Sequence, residues 1–275
     1  MNFRRQSLVI AVLVLCILWT AVTAFADFSV DFLDVGAGDC LVVQSDGHAM
    51  MIDTGPGTAW KAVDSFLTDA GLLRIDTLLL THFHPDHTAN LDRLLSTRII
   101  SEVLYSAADT EAFSSWPVVL EESGIGFRTL SRGDGFLLGS AVCDVLWPYG
   151  EPTELVNDHS VVLKITCHGF TLLLMGDAES ETERWLLSLA GPDELKADLI
   201  KLGHHGMDTS SSWPLIRAVS PVYAVASCAG PDHNSSLSPI VSETLSECGV
   251  QYILTTAAHG TVRLKIDDSG LLTIR

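Results

Sequence analysis

Thr81-His82-Phe83-His84-Pro85-Asp86-His87 is the stretch on which the reading of this chain turns. Three imidazoles and a carboxylate (His82, His84, Asp86 and His87) crowd into six consecutive positions. The run before them, Ile75-Asp76-Thr77-Leu78-Leu79-Leu80, has the length and composition of a buried strand, and Pro85 supplies a turn. Side chains alternate along extended chain, so His82 and His84 point the same way from the strand's end. Asp86 and His87 return toward the same space from the loop and the next helix. That is enough nitrogen and oxygen for two adjacent divalent cations of the zinc type, with manganese as the alternative. Isolated surface histidines are the simpler account, but ordinary chains seldom set this group directly after an apolar strand.

Further donors stand at strand ends elsewhere. Asp177 closes the apolar run Thr171–Met175, an odd place for an unpaired charge, and a carboxylate can span two cations and offset their repulsion. His159 sits in Asn157-Asp158-His159-Ser160, just before another apolar run. His204 and His205 are neighbours, so they point differently; one of the two is expected to bind metal, and the other to meet the substrate or hold a ligand in place. His48 and His168 read as structural turn residues, and His233 as a substrate contact.

The spacing His-x-His-x-Asp-His resembles the signature of the metallo-β-lactamase superfamily. Met51-Ile52-Asp53-Thr54-Gly55, Met175-Gly176-Asp177 and Lys201-Leu202-Gly203-His204-His205-Gly206 resemble that family's later motifs, in order. The resemblance spans about residues 28–270 and implies an α/β fold, an αββα four-layer sandwich with the metals where strand ends meet. It implies one cation on His82, His84 and His159 and another on Asp86, His87 and His204 or His205. Asp177 would bridge the two, and Asp53 would support the histidine loop from behind. Asp86 would orient the nucleophile as well as bind, and His205 is taken with it as catalytic. Hydrolysis by an activated water is the implied reaction, and the chain has no Gly-x-Ser-x-Gly nucleophile motif.

Within that family, Asp34-Val35-Gly36-Ala37-Gly38-Asp39-Cys40, Asp158-His159-Ser160-Val161-Val162-Leu163, Asp177 and His204-His205-Gly206 look like the ComEC hydrolase domain and its free-standing relatives. Those relatives imply phosphodiester cleavage, including of DNA. Ala37 stands where they commonly carry glutamine, and His159 where many carry asparagine. A thioester, lactone or β-lactam substrate is the alternative, and a non-catalytic envelope module is the third reading. Cysteine at the position of Asp177 is usual in many secreted β-lactam hydrolases, which argues against a typical one here.

Composition agrees with one catalytic domain over residues 27–275. The chain has 275 residues, 47% of them apolar, with no repeat and no linker-like tract. Residues 1–26 are distinct: Arg4 and Arg5 precede an apolar run from Leu8 to Ala26 that ends in Ala24-Phe25-Ala26. This reads as a cleaved signal peptide or an uncleaved membrane anchor, and places the domain outside the cytoplasm, secreted or periplasmic. The formal charge is −18, and −20 once the segment with its two arginines and no acids is set aside. Such a surface disfavours non-specific DNA binding, although bound cations would reverse the potential locally. The cysteines form no disulfide framework or Cys-x-x-Cys site, though Cys143 and Cys167 could lie close enough to pair.

Coarse periodicity predicts strands at 28–35, 40–45, 49–53, 75–80, 102–105, 136–138, 141–147, 160–167, 170–175, 198–202, 222–226, 251–254 and 261–266. Hairpin turns are expected at Asp46-Gly47 and His168-Gly169. Helices are expected at 59–70 with Thr58 as cap, 89–96, 111–123, 179–189 and 239–247.

Overall fold

The computed structural model describes residues 28–150, 154–191, 193–230 and 236–275. The N-terminal segment 1–26 and His233 lie outside the described residues, so the signal, the anchor and the proposed substrate contact do too.

The chain lays down one sheet, then a second, then returns to the first. The first six strands are β1 (Phe28–Phe32), β2 (Leu41–Ser45), β3 (His48–Ile52), β4 (Arg74–Leu80), β5 (Ile99–Ser106) and β6 (Gly126–Leu130). The next seven are β7 (Gly135–Leu138), β8 (Ala141–Trp147), β9 (Val162–Cys167), β10 (Phe170–Leu174), β11 (Leu199–Lys201), β12 (Tyr223–Ala226) and β13 (Tyr252–Thr255). β14 (Val262–Ile266) and β15 (Leu272–Ile274) rejoin the first sheet, whose order is β15-β14-β1-β2-β3-β4-β5-β6. The second runs β13-β12-β11-β10-β9-β8-β7. Antiparallel hairpins give way to parallel pairing at β3-β4-β5-β6 and at β10-β11-β12-β13, where helices or longer connections cross over.

Three apolar clusters show the layering. One lies between the sheets and includes Phe28, Val30, Phe32, Leu79, Leu163 and Leu172. A second joins the β7–β13 sheet to helices Ser180–Leu189, Trp213–Val219 and Pro239–Glu247. The third joins the other sheet to helices Trp60–Asp69, Leu91–Thr97 and Trp116–Glu122. Helix, sheet, sheet, helix is the αββα sandwich expected from the sequence. β4 is interior to its sheet and covered on both faces, hence the continuous run Leu78-Leu79-Leu80, all fully buried.

Both hairpin turns form as expected, with Asp46, Gly47, His168 and Gly169 at positive φ. The expected helix at 89–96 forms as Leu91–Thr97, a short turn Pro85–Thr88 precedes it, and Asn90 between the two donates its amide to the carbonyls of Thr54, Gly55 and Pro56. Thr58 does not cap; it lies in a 3-10 turn, Gly57–Ala59. The expected helix at 111–123 is shorter, Trp116–Glu122, with Pro117 in its first turn. β6 and β15 are edge elements that the periodicity did not reveal. Cys143 and Cys167 are buried and free, as are Cys40 and Cys228. Burial pushes the Cys143 thiol up to about 12, so it behaves as a small apolar side chain. No helix among the described residues is long and apolar enough to cross a membrane.

Candidate metal centre

The C-terminal ends of β3 and β4 lie side by side, and Asp53 and Thr81 follow them. Asp53 takes a left-handed backbone (φ 58°), which turns its fully buried carboxylate across the end of β4. It accepts from Thr81 N at 2.8 Å, Thr81 Oγ1 at 2.6 Å and His87 Nδ1 at 2.7 Å. The Thr81 hydroxyl proton is therefore committed to Asp53, and its oxygen is left to accept from His82 Nδ1 at 3.1 Å. Both rings are thereby held with Nδ1 protonated and Nε2 turned inward. His205 is fixed in the same sense, because its Nδ1 faces the Ser227 carbonyl at 3.0 Å and a carbonyl only accepts.

Those inward nitrogens meet one carboxylate. Asp177 Oδ2 lies 3.1 Å from His87 Nε2, 3.3 Å from His205 Nε2 and 3.9 Å from His82 Nε2. Asp86 Oδ2 is 3.3 Å from His205 Nε2 and 3.9 Å from His87 Nε2. Asp86, His87, Asp177 and His205 each place a donor atom within 4.8 Å of the others. His84 joins through its other nitrogen, with Nδ1 3.0 Å from His82 Nε2.

His159 approaches from the second sheet. Its Nδ1 lies 2.7 Å from Asp109 Oδ1, and Ser106 Oγ donates to its carbonyl. The next residue, Ser160, presents Oγ 3.3 Å from His82 Nδ1 and accepts from Asp177 N at 2.9 Å. His159 is thus anchored beside His82, though among the described residues it does not join a donor group as tight as the first four. Gly176 has φ 55°, and a Cβ there would meet Ser160 Cβ at 2.8 Å; this close approach carries the β10 end to Asp177.

The geometry separates His204 from His205. Both histidines take left-handed angles (φ 43° and 58°), each costing about 1–2 kcal/mol for a non-glycine residue, and this swings adjacent rings apart. His205 is buried and turns into the cluster. His204 turns to Thr209 Oγ1 at 2.8 Å and Glu179 Oε1 at 3.0 Å, on the partly exposed rim. Of the two, His205 is the one grouped with Asp86, His87 and Asp177. His48 and His259 lie away from them: His48 is on the surface near Asp76 and His259 bonds within its own turn. His168, also a turn residue, faces Asp268.

The charges are tightly coupled. Burial alone would lower His87 and His205, but the neighbouring carboxylates, Asp177 foremost, outweigh it. His87 ends well above its ordinary value and His205 is raised to about 9. Burial and the charge of His87 hold His82 well below its ordinary value. Burial would raise Asp86, but the adjacent His205, 3.3 Å away, and the charge of His87 bring it down to about 2. Asp177 is likewise held well below the carboxylate range by His205 and His87 despite complete burial.

This donor set fits divalent cations. Asp177 Oδ1 and His205 Nε2 are buried and make no hydrogen bond, which is costly for polar atoms unless something else is coordinated. Imidazoles with Nδ1 tied to an oxygen and Nε2 free are the usual arrangement around a metal, as that outer contact fixes tautomer and orientation.

Sequence reasoning missed several supporting groups. Asp109 has no pattern that could have marked it. Lys201 had one, since it is a lone cation in the apolar run Leu199-Ile200-Lys201-Leu202 and lies fully buried against Asp39.

Comparison with known proteins agrees with the geometry. The family model of the metallo-beta-lactamase superfamily matches residues 33–229. The ComE operon protein 3 of Bacillus subtilis is 26% identical over 260 residues, covering 86% of this chain and 33% of that protein. Endoribonuclease ysh-1 of Neurospora crassa is 24% identical over 194 residues, covering 62% and 23%. The chain thus spans a third or less of the length of these curated relatives. Among solved structures, the metallo-beta-lactamase fold protein YhfI of Bacillus subtilis superposes with a TM-score of 0.61 at 11% identity, covering 90% of this chain and all of that one, a likeness of fold.

Proposed function

This chain belongs to the metallo-beta-lactamase superfamily of metal-dependent hydrolases, and on that premise we propose that it cleaves phosphodiester bonds with two divalent cations, zinc before manganese. His82, His84 and His159 would hold one cation, and Asp86, His87 and His205 the other, with Asp177 shared. The observation that carries this reading is the single oxygen Asp177 Oδ2 within 3.9 Å of three ring nitrogens, each an Nε2 left to a cation because its ring's Nδ1 is tied to an oxygen. When bound, the cations supply a positive potential on an otherwise acidic surface, a water of lowered pKa and compensation for charge gathering on the departing oxygen.

The protein's own part is orientation and proton acceptance. Asp86 is the more open of the two inward carboxylates, its side chain 36% exposed against 2% for Asp177. It is ionised at neutral pH, so it can accept a hydrogen bond from the attacking water and aim it. His205, whose Nε2 lies 3.3 Å from Asp86 Oδ2, would bind the same cation as Asp86 and keep it beside the water. Asp53 and Asp109 keep His87 and His159 in the tautomer that the centre requires.

The endoribonuclease relative supports a phosphodiester substrate, nucleic acid included. The formal charge of −18 supports recognition of the scissile group over broad contact with a polyanion. Residues 1–26 support export, or anchoring to a membrane, as the setting of the reaction. The test offers the metal-loaded protein bis-p-nitrophenyl phosphate, single-stranded DNA, a lactone and nitrocefin. Turnover of the phosphodiesters is expected. Turnover of the lactone or nitrocefin alone would replace the phosphodiester reading with an acyl one.

A further inference from the structure

Lys201 is the largest polar side chain among the fully buried ones, 1% exposed at the end of β11. Its Nζ pairs with Asp39 Oδ2, donates to the Gly176 carbonyl at 3.0 Å and stands 3.9 Å from Asp177 Oδ1. Asp39, also 1% exposed, points its second oxygen toward His205 Nδ1 at 3.7 Å without a hydrogen bond, and its backbone N donates to the Asp86 carbonyl at 3.3 Å. Gly38 lets the two backbones meet: a Cβ there would collide with the Asp86 carbonyl and lie 2.7 Å from Pro56 Cδ.

Each contact of the pair thus falls on a segment bearing a ligand assigned above to the second cation or shared by both. Asp39 abuts Asp86, Gly176 precedes Asp177, and Lys201 begins the turn that carries His205. Among the described residues, no hydrogen bond or ion pair of the two side chains reaches the segments of His82, His84 or His159. A buried ion pair is a poor stabiliser, since apolar residues of similar volume are often as good or better, so its presence here calls for another account.

We propose that the buried Lys201–Asp39 pair is a positioning device for the second cation, holding Asp177, His205 and the Asp86 backbone in register so that this half of the centre binds tightly. The inference rests on the two-cation reading above and goes further, because it assigns unequal dependence to the two cations. Lys201 and Asp39 touch neither cation; they act through the ligands.

The experiment equilibrates the full chain with a series of buffered zinc concentrations and counts zinc per chain, with thermal unfolding of the metal-free forms alongside. The variants are Asp39→Asn, which keeps shape and loses charge, and the double replacement Lys201→Met with Asp39→Leu, which leaves no buried charge unpaired. In both, one of the two zincs is expected to bind about 10–100-fold less tightly, the loss typical when an outer partner of a ligand is removed, and the other to change much less. A stable double variant that binds both zincs with the parent's affinities would overturn the proposal, and so would equal weakening of both. A parent that binds no zinc would instead overturn the two-cation reading itself, so the two failures are distinguishable.

Discussion

Replacing Asp53 by asparagine changes one atom's chemistry and should empty much of the centre. The carboxylate accepts three buried donors, two from Thr81 and one from His87. An asparagine that keeps its oxygen on Thr81 N must turn its NH2 toward the Thr81 hydroxyl and His87 Nδ1. The hydroxyl can rotate to accept. His87 can accept only by giving up its Nδ1 proton, and the neutral ring then carries that proton on Nε2, pointing at Asp177. The opposite amide orientation sets NH2 against the Thr81 N–H. Either way the inward lone pair of His87 is lost or weakened. Loss of such an outer partner costs 10–100-fold in metal affinity, or about 1.4–2.7 kcal/mol. Fold stability without metal should change less, because relief of a buried carboxylate offsets the weaker hydrogen bonds. Competition for zinc against a chromophoric chelator measures the affinity, and the metal-induced rise in Tm measures it again by linkage. An Asp53→Asn protein that takes up zinc as the parent does would refute the tautomer argument.

Other consequences are as specific. His205→Ala should lose zinc and turnover, whereas His204→Ala should keep its zinc content, as measured by metal analysis of the two purified variants. His205, raised to about 9 from an unfolded value near 6.5, stabilises the metal-free fold fully below about pH 6.5 and loses that contribution as pH rises through about 9. Urea midpoints of metal-free protein should therefore fall from pH 6 to pH 9.5 while zinc affinity rises, since the cation displaces that proton. Gly38→Ala should destabilise the fold by about 2–4 kcal/mol, because its Cβ has no room beside Asp86 and its φ of 143° is unfavourable for alanine; thermal melts would show it. Leu79→Ala, at the centre of the inter-sheet core, should cost about 2–5 kcal/mol in the same assay.

The sandwich was legible because its interior strands are unbroken apolar runs and its hairpins carry Asp-Gly and His-Gly turns. The two edges of the first sheet were not: β6 and β15 are half exposed and have little pattern to mark them. The donors ending strands were legible for a related reason, since a histidine or aspartate after an apolar run has left the core's protection yet stays near it. The choice between His204 and His205 could not be read, as it depends on two left-handed residues that no propensity favours at histidine. Asp109, and the pairing of Asp39 with Lys201, were hidden because they come together by folding over long sequence separations, 50 residues between Asp109 and His159 and 162 between Asp39 and Lys201.

The number and spacing of bound cations distinguish a two-metal centre most directly from any other arrangement. X-ray absorption at the metal edge, combined with metal analysis of the zinc-loaded chain, should give two cations per chain about 3.5–4 Å apart in a nitrogen- and oxygen-rich shell. A single isolated cation, or none, with the fold intact would contradict the two-cation reading.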